Sequence, residues 1–125
     1  MDQVFLDTNT LIDIFEKRRE INIDVLVRNH LFASPLSIHI YTYLYKYQMP
    51  YQALLGGIEK LEIELTPITH QIATLSLIGP TSDFEDNIQL HSAAEAECDY
   101  FLTNDEKLLK MKFFGKTQIL ASLIR

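Results

Sequence analysis

Tryptophan is absent from this chain of 125 residues, glycine and proline occur four times each, and cysteine once. A lone cysteine, Cys98, forms no internal disulfide, so the fold rests on its core, and such usage fits a reducing compartment. So few glycines and prolines exclude collagen-like and low-complexity chains. No apolar run approaches the ~20 residues of a membrane helix, and "MDQVFLDTN" has neither a basic segment nor a cleavable apolar one. A cytoplasmic location without a membrane partner is the expectation. Basic charge is the other shortage. Eleven Lys and Arg face 17 Asp and Glu, a net charge of -6, which argues against a broad nucleic-acid-binding surface. What remains, 47% hydrophobic and 22% charged residues, is an ordinary globular composition, and the length predicts one domain, 1–125.

Strand and helix signals alternate. "VFL" (4–6) reads as a strand covered on both faces. A helix follows from about Thr10, where Thr10 and Asp13 resemble a capping box, with "KRR" (17–19) near its end. Helices are predicted over 23–31, 37–47, 50–61 (weakened by Gly56-Gly57), 70–78, 84–97 and 105–111. Strands are predicted at "FAS" (32–34), 63–68 and 99–103, with "TQIL" (117–120) as a last edge strand. The alternation predicts an α/β fold, a three-layer α/β/α sandwich around a mostly parallel sheet. Ligands in such folds gather outside the carboxyl ends of the strands.

Asp7 follows the first strand and Asp105 follows "YFLT", so both acids are expected at one sheet edge. In "SDFEDNIQLHSAAEAE", Asp86 heads a stripe continuing to Leu90, Ala93 and Ala94, predicted to face inward. Glu85 heads Gln89, Ser92 and Ala96, predicted to face solvent. Asp83, one turn before Asp86, reads as a neighbour of the site or a cap. Three carboxylates drawn together repel one another, and a hard divalent cation relieves that repulsion. Acids at strand ends therefore suggest metal-dependent phosphodiester chemistry.

"FLDTNTLIDIFEKR", "FEDNIQLHSAAEAECDYFLTND" and the weaker "SPLSIHIYTYLYKY" resemble, in this order, the PIN domain, the fold of many endoribonucleases including the VapC-type toxins. The resemblance implies metal-dependent RNA cleavage with Mg²⁺ or Mn²⁺ held by Asp7, Asp86 and Asp105 as catalytic acids. Thr8, Asn9 and Thr103 would support them, with Asp83 nearby. A toxin role implies an antitoxin protein as partner, and the family often dimerises. In one respect the chain departs from the pattern: the family commonly carries a glutamate six residues beyond a Ser or Thr. Counted from Ser37 that position is Tyr43, and no Asp or Glu occurs between Asp24 and Glu59. The alternative function is therefore a PIN-like module that binds RNA or a protein partner without cleaving.

Simpler readings stand beside these. Asp7 and Asp105 suit helix caps, and Asp86 suits a first helical turn. An aspartate after a first strand also serves as nucleophile in α/β phosphatases, but the second acid that chemistry wants is here Asn9. The tyrosines at 41, 43, 45, 47 and 51 suit packing better than base stacking, because Ile40, Tyr43, Leu44 and Tyr47 share a helical face. Lys17, Arg18, Arg19 and Lys107 are candidate phosphate contacts flanking the site, as solvated faces are the plainer reading of both basic groups.

Overall fold

Strand β1 (Gln3–Leu6) is the centre of the fold. Val4, Phe5 and Leu6 are wholly buried, because side chains alternate across a sheet that helices cover on both sides. Val4 and Leu6 pack on one face with Leu31, Ala33 and Leu102. Phe5 packs on the other with Phe32, Phe101, Leu90 and Leu108. A computed structural model describes residues 1–123.

The other strands are β2 (His30–Ala33), β3 (Glu64–Leu65), β4 (Tyr100–Leu102), β5 (Phe113–Phe114) and β6 (Thr117–Leu120). They form one sheet in the order β3-β2-β1-β4-β6-β5. All pairings are parallel except β5 with β6. Helices α1 (Thr8–Glu16), α2 (Ile23–Leu26), α3 (Pro35–Leu44) and α4 (Gln52–Lys60) follow the first two strands. Helices α5 (His70–Ser76), α6 (Phe84–Glu95) and α7 (Glu106–Met111) come later in the chain. This is the expected three-layer α/β architecture.

Several boundaries differ from the sequence reading. Helix α1 begins earlier than Thr10, and its cap is Asp7, whose carboxylate accepts from Thr10 N (2.8 Å); Thr10 and Asp13 form no capping box. The helix read over 23–31 stops after Leu26. From there the sheet takes the chain, His30 N donating to Asp2 O (2.9 Å), because strand pairing with β1 outweighs a weak helical signal. The strand read over 63–68 shortens to Glu64–Leu65. Strand β6 is internal, since Phe113–Phe114 folds back on it and takes the edge. Gly115 enables that turn with φ +61.

Most of the tyrosines pack, but not on the face that spacing picked out: Tyr43 and Leu44 are exposed. Tyr41 is buried with Ile12 and Leu54, and Tyr45, Tyr47 and Tyr51 lie against them. Tyr41 and Tyr47 hydroxyls both donate to Glu16 (2.5 Å each), which holds the Glu16 carboxyl below its usual range. These contacts fix α1 against α3.

Helix α4 forms in spite of its two glycines, and they are not equivalent. A Cβ at Gly57 would overlap the Phe15 ring, whereas one at Gly56 meets nothing within 4 Å. Gly57→Ala should lower stability by about 1–3 kcal/mol through overpacking. Gly56→Ala should raise it by about 0.5–1 kcal/mol by stiffening the helix. Urea midpoints at constant m-value separate the two.

Candidate functional site

The strand order places β2 on one side of β1 and β4 on the other. Successive crossovers therefore leave in opposite directions and open a crevice at the carboxyl ends of β1 and β4, the usual ligand position in such sheets. Asp7 and Asp105 stand there. Asp7 N donates to Leu102 O (3.1 Å) and Thr10 Oγ1 to the same carbonyl (3.1 Å). The two strand ends are thus tied together beneath the acids.

Each acid belongs to the start of a helix. Asp7 caps α1, Asp83 caps α6 by accepting from Asp86 N (2.9 Å), and Asp105 caps α7 by accepting from Lys107 N (2.8 Å). Capping and site membership coincide here, since a helix N-terminus favours negative charge. Thr103 links two of them. Its hydroxyl donates to Asp7 Oδ2 and accepts from Asp105 N (3.0 Å).

The electrostatics show crowding. Asp7 is only 5% exposed. Burial raises its pKa, the hydrogen bonds from Thr103 and Thr10 offset part of that, and the Asp105 charge adds to it. Asp86 is pushed up to about 7, first by desolvation and then by the charges of Asp83, Asp105, Glu85 and Asp7. The predicted acids therefore share one field at one edge.

Two sequence expectations about α6 are corrected. Gln89 and Ser92 are buried and Ala94 is exposed, so the face headed by Glu85 turns inward as well. The reason is a polar network. Gln89 Nε2 donates to Glu85 (2.9 Å), Ser37 Oγ lies 3.4 Å from Gln89 Oε1, and Thr8 and Ser37 hydroxyls pair at 2.8 Å. This chain joins α6, α3 and α1 behind the acids. Sequence reading missed Glu85 and Gln89 as members of the site region; the only signal was their i, i+4 spacing. Thr8, expected as a supporting residue, is the α1 member of this network.

Arg18 and Arg19 have a partner within the protein. Both bind Asp13, at 2.8 and 2.7 Å, and Arg18 also reaches Asn9 O (3.4 Å). With the Asn104 amide turned so that its oxygen faces the guanidinium, Arg19 donates to it (2.8 and 3.0 Å). Arg19 thereby braces the loop before Asp105, and both arginines pair with a nearly buried carboxylate while staying partly exposed. Asn9, Lys17 and Lys107 are exposed.

Tyr43 does not enter the site. It is 74% exposed and lies against the His39 ring at 6.2 Å. The helix cap is Ser34, and six residues beyond Ser34 is Ile40, one turn past Ser37. By either count α3 contributes no acid.

An all-carboxylate donor set under mutual repulsion is the chemistry that suits Mg²⁺ or Mn²⁺. Among the described residues, no three His, Cys, Asp or Glu side chains form a group that holds a cation as they stand. No described helix is long and apolar enough to cross a membrane.

No protein-family model and no curated protein matches the chain. Among solved structures, it resembles a chain in the crystal structure of VapBC2 from Rickettsia felis bound to a DNA fragment from their promoter. The TM-score is 0.64 at 16% identity, covering 94% of this chain and 97% of that one. What the two share at that identity is the fold.

Proposed function

We propose that this protein is a divalent-metal-dependent endoribonuclease of PIN type, the toxin of a toxin–antitoxin pair. The observation that carries the reading is the set of mutually repelling carboxylates at the β1/β4 crevice, with Asp86 raised to about 7. Asp7, Asp86 and Asp105 would hold the Mg²⁺ or Mn²⁺. When bound, such an ion lowers the pKa of its water and stabilises charge on the attacked phosphate.

The chain's own residues supply position. Thr103 and the Thr10 amide fix the Asp7 carboxylate, and the Thr8–Ser37–Gln89–Glu85 chain fixes the helices that carry the acids. Exposed Lys17 and Lys107 offer phosphate contacts. With acidic residues outnumbering basic ones 17 to 11, a short RNA footprint fits this reading better than extended backbone tracking. An antitoxin protein that covers the acidic edge and a homodimer complete the reading, supported by the fold shared with a VapBC2 chain. A non-cleaving RNA- or protein-binding module is the second reading, favoured by the absence of an acid on α3 at both Ile40 and Tyr43.

The test is internal cleavage of single-stranded and structured RNA. Cleavage is expected with Mg²⁺ or Mn²⁺ and none in EDTA. Inert protein with both cations, or cleavage that persists in EDTA, sinks the enzymatic reading.

A further inference from the structure

Helix α6 runs back across the sheet, so its far end lies by the amino ends of the strands, opposite the acidic crevice. A groove of about 330 Å³ opens there, a volume within the range of small-molecule sites. Phe32, Ile72, Pro67 and Ala96 supply apolar walls, and Glu64 and Glu95 stand on its lining. His30 Nε2 lies 3.0 Å from Glu64, and its ring packs on Phe32 at 4.2 Å. Gln3 closes one side, its amide nitrogen donating to the carbonyls of Ala96 (3.1 Å) and Glu97 (2.9 Å).

Ser92 lines the same groove and is 1% exposed. Among the described residues its hydroxyl is the one buried side-chain polar atom without a hydrogen-bond partner. A buried hydroxyl in that state is costly, and native structures usually supply a partner for it. Two carboxylates on the lining, Glu64 beside His30 and Glu95 in no ion pair among the described residues, favour a positive molecule there, and the apolar walls favour one with a hydrocarbon stem.

We propose that this groove binds a small organic cation, an ammonium or guanidinium on a short aliphatic stem, whose N–H meets Ser92 and the Glu64–Glu95 pair. The site is separate from the proposed nuclease centre. Ser92 lies six residues along α6 from Asp86, about 9 Å of helix, and no residue is shared.

Agmatine, followed by amide NMR shifts of nitrogen-15-labelled protein at low salt, is the probe. Saturable shifts are expected at Phe32, Ser92 and Ala96, weakening as salt rises. The exposed double substitution Glu64→Gln/Glu95→Gln should weaken agmatine roughly tenfold. Ser92→Ala should melt higher when ligand-free yet bind agmatine less tightly. No saturation, equal shifts with n-butanol, or unchanged affinity in the double variant would overturn the proposal.

Discussion

Asp7→Asn is expected to lower RNA cleavage by roughly 10²–10³-fold while raising the melting temperature of the metal-free protein. The two effects share one cause. Asp7 is buried and its pKa is raised, so its charge is held at a cost that the folded protein carries for function. Asparagine caps a helix as well as aspartate does, so the bond from Thr10 N survives, while the amide nitrogen that replaces Oδ2 must donate to the Thr103 hydroxyl instead of accepting from it, a smaller change than the charge removed. Single-turnover cleavage and a thermal melt on the same sample check both halves. A scaffold-only aspartate would give unchanged cleavage, and a variant that melts lower would mean that the charge stabilises the fold.

Stability of the metal-free protein should fall as pH rises from 5 to 8, and Asp86→Asn should reduce that slope, leaving the share that belongs to Asp7. Asp86 titrates at an ordinary 3.8 when unfolded and about 7 when folded. Between those values the folded state binds more protons than the unfolded state, so raising the pH favours unfolding. The penalty is absent below 3.8, grows through the window and is complete above about 7. Glu16 works in the opposite sense, but it titrates at about 4.5 when unfolded and lower when folded, so it adds little slope across this range. Added Mg²⁺ or Mn²⁺ at pH 7.5 should raise the melting temperature of the wild type by binding the folded state, and much less in Asp86→Asn. Melts that are flat in pH for the wild type would remove the electrostatic basis of the site.

The acidic edge was legible because its carriers are short apolar runs. "VFL" before Asp7 and "YFLT" before Asp105 can hardly be anything but buried strands, and parallel strands put their following residues on one side. The α6 face was misread for an equally physical reason. A stripe of Gln89 and Ser92 looks solvated unless a polar partner waits for it, and Ser37 and Thr8 sit far away in sequence. The roles of Arg18 and Arg19 were hidden likewise: their partner Asp13 had been read as part of a cap. Strand β5 is two phenylalanines, too short for any periodicity to announce it. The sharpest sequence-level doubt, Tyr43, concerned a residue that faces solvent. The missing acid is a property of the α3 face, whichever serine begins the count.

The central place of β1 has a consequence for how the protein opens. Its amides are bonded on both sides, to β2 and to β4, and its three apolar side chains are wholly buried. Exchange of those hydrogens with solvent therefore needs global unfolding, while the two-residue strands β3 and β5 can exchange by local fraying. Asp7 rides on the end of the most protected strand. Breathing at the rim of the sheet leaves the spacing between Asp7 and Asp105 intact, and the acidic crevice should persist until the molecule unfolds as a whole.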